Sequence, residues 1–271
     1  MVQEKCRLLS SEQVAPGHWV LRLAAPAIAS FARAGQFVHV RIPTTYDPLL
    51  RRPISIMLPE ARQGNLRLLT CAVGRGTRML VETPIGTELD LLGPLGTAFP
   101  LPGGPELSEA KEVLLVAGGM GVAPLVFLAD TLRGMDHHAY VRGLFGAATE
   151  DLLVSWTEFA ARCDEFYVST EDGSAGEQGR VTDTLVAQLE RGQADVVYTC
   201  GPIAMMAQVA QMCHDAGVAC YCSFEQRMGC GVGACLSCAV PAAGGGYVRV
   251  CRDGPVFAAD RLDWEAILDD I

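Results

Sequence analysis

The chain has 271 residues, half of them hydrophobic and 19% charged, with a formal net charge of −10. That length exceeds one ordinary domain and predicts two or three, and the composition excludes a disordered chain. The acidic balance argues against a nucleic-acid partner, whose phosphates need a basic surface, and no apolar run is long enough to span a bilayer.

Residues 1–10 lack the charged-then-apolar pattern of an export signal. With eleven cysteines in the chain, this predicts a reducing cytoplasm in which thiols serve as ligands or core residues rather than disulfides. The opening segment alternates apolar and polar residues at the strand period over 18–23, 36–42 and 65–69, punctuated by Gly and Pro. A small antiparallel barrel or sandwich is expected there.

Two patches in this segment carry chemistry. Arg52, Pro53, Ile54 and Ser55 place a guanidinium and a hydroxyl three residues apart beside a strand, suited to a phosphate and to a flavin ring heteroatom. Gly74, Gly76 and Thr77 open a short helix whose N–H groups, with the Thr77 hydroxyl, make a pyrophosphate seat. Either patch alone also fits a solvated turn. Together they resemble the FAD-binding domain of the ferredoxin reductase superfamily, although Ile54 stands where an aromatic ring is usual. Stacking on the flavin must then come from elsewhere. Gly93-Pro94-Leu95-Gly96 is similar to the superfamily's turn at the end of that domain.

From residue 112 the pattern changes. Residues 112–117 form a near-continuous apolar run, expected of a parallel strand buried on both faces. It leads into Gly118, Gly119, Gly121 and Pro124 before an apolar helix start, the strand–turn–helix that seats a dinucleotide pyrophosphate. This turn resembles the superfamily's Gly-Gly-x-Gly-x-x-Pro. Further strands are expected at 140–145, 165–169 and 195–199. Leu152, Trp156 and Phe159 are expected on one helical face, with Leu185, Val186 and Leu189 on another. A helix opened by Pro202 and closed at Gly217 should pack Met206, Val209 and Met212 into the core. Cys200, Gly201 and Pro202 resemble the superfamily's turn beside the nicotinamide, so Cys200 and Gly201 are candidates to line the hydride path; a plain core thiol is the alternative for Cys200. Glu150, with Asp151, Glu171 and Asp172, favours the ribose hydroxyls of NAD over the extra phosphate of NADP.

The most specific signal closes the chain. Cys230, Cys235, Cys238 and Cys251 are spaced Cys-x4-Cys-x2-Cys-x12-Cys, the plant-type [2Fe–2S] pattern, among Gly229, Gly231 and Gly233. A zinc site or reduced core cysteines are the alternatives. Taken whole, the chain resembles the electron transfer subunits of the NAD-dependent (class 1B) dihydroorotate dehydrogenases, down to Asp253-Gly254-Pro255-Val256-Phe257 after the last cysteine.

That resemblance implies an FAD-binding β-barrel over 1–102, a parallel α/β NAD-binding domain over 103–222 and a small [2Fe–2S] domain over 223–271. It implies FAD contacts at Arg52, Pro53, Ile54, Ser55, Leu69, Thr70, Cys71, Gly76 and Thr77. It implies NAD contacts at Gly118, Gly119, Gly121, Pro124, Glu150, Cys200, Gly201 and Pro202. Electrons would pass from a partner FMN-containing dihydroorotate dehydrogenase subunit, in a heterotetramer of two each, through [2Fe–2S] and FAD to NAD+, in de novo pyrimidine biosynthesis. Gly229 to Gly233 would face the partner, with Glu225 and Arg227 between cluster and flavin. None of His18, His39, His137, His138 and His214 lies in a motif for a general base, which fits a relay. The rival readings are the small subunit of an NAD(P)H-dependent ferredoxin or sulfide oxidoreductase, a stand-alone reductase with FAD and [2Fe–2S], and a zinc-stabilised interaction protein.

Overall fold

A computed structural model describes residues 1–42, 47–135 and 139–270; His137 and His138 lie outside the described residues. The alternating opening segment closes into an antiparallel barrel of six strands: β1 (Val2–Ala15), β2 (His18–Ala24), β3 (Phe37–Arg41), β4 (Arg52–Glu60), β5 (Asn65–Cys71) and β6 (Glu88–Leu95). Their order is β1-β2-β5-β4-β3-β6, and closure leaves no sheet edge. Leu21, Leu23, Val38, Val40, Ile56, Leu66, Leu68 and Leu91 are buried in its wall and interior. Two short helices, α1 (Pro26–Phe31) and α2 (Arg75–Val81), complete the unit. The turn expected at Gly93-Pro94 is instead strand, because β6 runs through both residues to Leu95 and the chain turns at Gly96, whose φ is +75.

The second unit follows the apolar runs. It contains β7 (Glu112–Gly118), α3 (Val122–Arg133), β8 (Tyr140–Ala147), α4 (Trp156–Ala160), β9 (Glu165–Thr170), β10 (Glu177–Gln178) and α5 (Val181–Glu190). It ends with β11 (Val196–Cys200), α6 (Ile203–Ala216) and β12 (Ala219–Ser223). A hairpin, β13 (Ala239–Pro241) and β14 (Tyr247–Arg249), then precedes β15 (Val256–Ala258) and α7 (Trp264–Asp269). The large sheet has the order β10-β9-β8-β7-β11-β12-β15. Its pairs are parallel except the last, where β15 lies antiparallel to β12. The cysteine-bearing segment therefore finishes a sheet that the preceding unit begins.

Two helical expectations need correction. Leu152 lies in a separate turn, and α4 starts only at Trp156, because Ser155 adopts a left-handed conformation with φ of 54. Phe159 alone of the three is fully buried, between Phe145 and Phe166, while Trp156 faces outward. On α5, Leu185 is buried but Val186 is exposed. The helix α6 behaves as expected: Met206 and Val209 are buried, Met212 is partly buried, and Gly217 ends it with φ of +69.

The chain passes from β7 to β8 on one side and to β11 on the other, so the sheet has its topological switch at the ends of β7 and β11. There the turn after β7 and the turn after β11 touch backbone to backbone. A Cβ on Gly121 would stand 2.0 Å from the Cys200 carbonyl oxygen. Across the barrel–sheet boundary, Arg67 of β5 donates two hydrogen bonds to Glu158 of α4, at 2.6 and 2.7 Å. Burial opposes ionisation of Glu158, but Arg67 outweighs it and holds the carboxyl below its ordinary range.

Gly121→Ala is expected to lower stability by about 1–3 kcal/mol or more, since the clash is with backbone that cannot rotate away; thermal unfolding reads it directly. The Arg67–Glu158 pair should contribute fully above the unfolded carboxyl value near pH ~4.3. Its contribution fades as pH falls through the lower folded value. Arg67→Met should therefore cost on the order of 1–2 kcal/mol at neutral pH and flatten the acid side of the stability profile. An unchanged profile between roughly pH 5 and pH 3 would contradict this.

Candidate functional site

A cleft of about 780 Å³ lies where the barrel, the glycine turn after β7 and the start of the cysteine segment meet. Its barrel wall is Arg52, Pro53, Ile54 and Ser55 from β4, Leu69, Thr70 and Cys71 from β5, and Thr77 from α2. Antiparallel pairing produces this convergence by setting β4 between β3 and β5, with Ser55 opposite Phe37 and Ile56 opposite Leu68. Gly76 does not line the cleft but supports it. A Cβ there would stand 2.5 Å from Arg52 Nε, so only glycine lets the guanidinium lie across the first turn of α2. Arg52 Nη1 donates to the Leu50 carbonyl at 2.6 Å.

A guanidinium laid over backbone N–H groups is a seat for an anionic oxygen. The Thr77 hydroxyl is committed to the same turn, accepting from Gly74 N–H and donating to the Gly74 carbonyl, each at 3.1 Å. Arg51, also at the cleft, is tied to Asp90, donating to its Oδ1 at 2.8 Å. Burial opposes ionisation of Asp90, but hydrogen bonds from Arg51 and Gln3 hold its carboxyl below the usual range. Both adjacent arginines line the cleft, and Arg51, just before β4, is anchored to β6 by its ion pair with Asp90.

The aromatic surface missing at Ile54 is present elsewhere. Phe37 and Phe224 both reach the cleft while remaining almost wholly buried. Phe37 was not readable from its own neighbourhood, because it enters only through pairing with Ser55. Met120 and Ala123 bring the glycine turn to the same wall. Glu225, Gln226 and Arg227 form the far side, three to five residues before Cys230. Glu225 is the sole carboxylate among the lining residues. Solvent reaches it within the cleft, but crowding by protein desolvates the carboxyl and pushes its pKa up.

The expected nucleotide residues gather at the switch point rather than in the cleft. Gly118 packs on Pro202, where a Cβ would meet Pro202 Cδ at 2.8 Å, and Gly201 approaches Gly118 Cα to 3.0 Å by the same measure. Pro124 is buried in the first turn of α3. Cys200 is buried behind Gly121, and burial, reinforced by Glu225, raises its thiol well above the ordinary value. Gly119 has φ of +50 and open space around its α-carbon. Glu150 is exposed, and its N–H donates to Ser174 Oγ at 2.7 Å, while Ser174 donates to Asp172 at 2.6 Å. These bonds knit the two acidic loops after β8 and β9 into one rim.

Cys230, Cys235, Cys238 and Cys251 lie in one loop system with N–H groups turned onto the sulfurs. Val232 and Ala234 donate to Cys230 Sγ at 3.4 and 3.2 Å, and Gly233 donates to Cys251 Sγ at 3.1 Å. Cys251 N–H donates to Cys238 Sγ at 3.4 Å, and the Ser237 hydroxyl lies 3.3 Å from Cys235 Sγ. Gly231 and Gly233 adopt φ of +71 and +82, which aims these donors inward. The thiols associate two and two, Cys230 with Cys235 and Cys238 with Cys251. Among the described residues no three His, Cys, Asp or Glu converge as a single ion requires. Four cysteine sulfurs gathered in one loop system are the donor set that a [2Fe–2S] cluster takes.

Hydrogen bonding from Ser237 brings the Cys235 thiol down to about 6. Burial opposes ionisation of Cys230, but the N–H groups of Val232, Cys235 and Ala234 outweigh it and lower its pKa. Burial, with Cys238 beside it, pushes Cys251 up to about 12. The expected glycine rim is inverted: Gly231 and Gly233 are buried, and the outward surface belongs to Val232, Cys235 and Leu236.

Residues 225–263 match the model of the iron–sulfur cluster binding domain of dihydroorotate dehydrogenase B, and residues 115–211 match the oxidoreductase NAD-binding domain. A Desulforamulus reducens protein is 39% identical over 264 residues, spanning 96% of this chain and 97% of its own. A Geobacillus thermodenitrificans protein is 40% identical over 265 residues, spanning 96% and 98%. Both are named dihydroorotate dehydrogenase B (NAD(+)), electron transfer subunit. Among solved structures, one from a study of flavin-based electron bifurcation by the NADH-dependent reduced ferredoxin-NADP oxidoreductase superposes with a TM-score of 0.84 at 28% identity. It covers 98% of this chain and 92% of that one. A Neisseria gonorrhoeae ferredoxin NADP+ reductase shares the fold, with a TM-score of 0.65 at 17% identity over 83% of this chain and 94% of that one.

Arg52→Gln is expected to remove about 1.5–3 kcal/mol of charge-assisted bonding. FAD retention should then weaken roughly 10- to 100-fold with the fold intact, read by flavin titration of the stripped protein. Gly76→Val should do the same by displacing the guanidinium.

Proposed function

The chain belongs to the electron transfer subunit family of dihydroorotate dehydrogenase B, and on that premise we propose its path of electrons. They enter from an FMN-containing catalytic subunit that oxidises dihydroorotate, and leave on NAD+, serving de novo pyrimidine biosynthesis. The observation that carries this reading is the shared cleft, in which the Arg52–Ser55 wall faces Glu225–Arg227 just ahead of Cys230.

Bound FAD supplies the exchange between two-electron nicotinamide chemistry and the one-electron steps of a [2Fe–2S] cluster. The chain's residues hold and insulate. Arg52 and the first N–H groups of α2 seat the FAD pyrophosphate, and Ser55 reaches the ring. Phe37 and Phe224 supply the apolar flank that Ile54 cannot. Gly118, Gly119 and Gly121 take the NAD pyrophosphate at the switch point, while the acidic rim at Glu150 and Asp172 meets the ribose. The buried Cys200 and Gly201 back that site. Cys230, Cys235, Cys238 and Cys251 would hold the cluster through their sulfurs.

Domain division at 1–102, 103–222 and 223–271 fits this assignment, with β15 as the strand by which the last unit grips the second. The partner docks over Cys235, where Val232 and Leu236 present exposed apolar side chains beside the most accessible ligand. Two copies of each subunit form the assembly, in the cytoplasm. No helix among the described residues is long and apolar enough to cross a membrane.

Reconstitution tests the reading. The purified chain should contain two irons, two sulfides and one FAD per molecule, with NADH reducing the flavin far faster than NADPH. Dihydroorotate should reduce NAD+ only after the FMN subunit is added. Flavin reduction by dihydroorotate in the isolated chain, or equal rates with NADH and NADPH, would overturn it.

A further inference from the structure

His39 has no task in the cleft, and its surroundings are unusual. It is fully buried on the barrel strand β3, and among the described residues neither ring nitrogen has a hydrogen-bond partner. Burial, with Arg51 and Arg52 nearby, brings its pKa down to about 4, so the imidazole is neutral near pH 7. A neutral imidazole carries one N–H donor and one acceptor, and buried polar groups are rarely left unmet. Phe37, one pleat away, shows that an apolar ring fits the same strand face.

What the imidazole touches is the cluster loop. Its Nδ1–Cε1 edge lies against Gly231, where a Cβ would stand 2.7 Å from Nδ1 and 2.8 Å from Cε1. Gly231 follows Cys230 directly, and its φ of +71 turns the next N–H groups onto that sulfur. On the backbone side, His39 pairs with Pro53 of the flavin wall, and its carbonyl accepts from Arg51. One residue thus joins the strand carrying the flavin contacts to the loop carrying the first cysteine.

We propose that His39 is a positioning residue for the cluster. With the [2Fe–2S] cluster bound, its N–H would donate to a cluster sulfur beside Cys230, fixing the loop against the barrel and favouring the more negative, reduced state. Hydrogen bonds to sulfur are among the factors that set cluster potentials. This rests on the cluster assignment made above.

The test is a redox titration followed by EPR on the full chain with its cofactors. His39→Met keeps the volume and removes the donor, whereas His39→Gln keeps an N–H. The expected result is a lower cluster potential and altered g-values for His39→Met, a smaller change for His39→Gln, and an unmoved flavin potential in both. Wild-type potential and g-values in His39→Met would overturn the proposal. If that variant fails to fold, pulsed EPR on the unaltered protein with isotope-labelled histidine nitrogen decides. A weak coupling from one imidazole to the reduced cluster is expected, and its absence overturns the proposal. No [2Fe–2S] signal at all in the unaltered protein would overturn the cluster assignment and the proposal with it.

Discussion

Everything in this molecule hangs on residues 254–258, which are bonded from two sides. Thr97, just past the barrel, donates its N–H to the Gly254 carbonyl at 2.6 Å and its hydroxyl to the Val256 carbonyl at 3.1 Å. Phe224 N–H donates to the Pro255 carbonyl at 2.8 Å, and β15 pairs with β12. The cysteine-bearing loops run between Phe224 and Gly254, so both of their ends are fastened to the rest of the fold. Close approach makes this feasible: a Cβ on Gly96 would stand 2.4 Å from Pro255 Cδ, and one on Gly35 would stand 2.6 Å from Val256 Cγ2. Three units can share one cleft because glycine allows their backbones to meet.

What was legible in the sequence was what chemistry specifies locally. Cysteine spacing, a double-buried apolar run and glycine at a strand–helix turn each need particular residues within a few positions of one another. Arg52, Ser55, Leu69, Thr70 and Cys71, expected through resemblance to meet a flavin, do line one wall of the cleft. What stayed hidden depends on register and on long-range packing. Phe37 reaches the cleft only because β3 pairs with β4, and nothing near residue 37 announces that pairing. Arg51 and Arg52 read alike in sequence, and only the packing of β6 beside them commits Arg51 to an ion pair with Asp90. The glycines of the cluster loop suggested an open rim, yet their positive φ serves to turn N–H groups inward and lets Gly231 settle on His39.

Polarity is graded along the proposed route. The Cys230–Cys235 pair lies toward solvent with N–H and hydroxyl donors that favour thiolates, and the Cys238–Cys251 pair lies inside, packed with Val240 and Val250. Beyond them come Met228 and Phe224, then the flavin wall. Charge is thereby accommodated at the outer edge, where a partner would dock, and screened from the interior by apolar side chains.

An electron relay asks for this kind of site rather than for proton chemistry. His18 and His214 are not buried, and His39 is neutral and sealed beneath the cluster loop. Cys200, buried at the switch point, has its thiol raised well above the ordinary value by burial, so it stays protonated and uncharged. Glu225 is the sole carboxylate among the residues lining the cleft, its carboxyl lifted by desolvation. Thr97, Gly121 and Gly231 hold the barrel, the sheet and the cysteine loops in close contact, so the fold itself sets how the three units lie against one another.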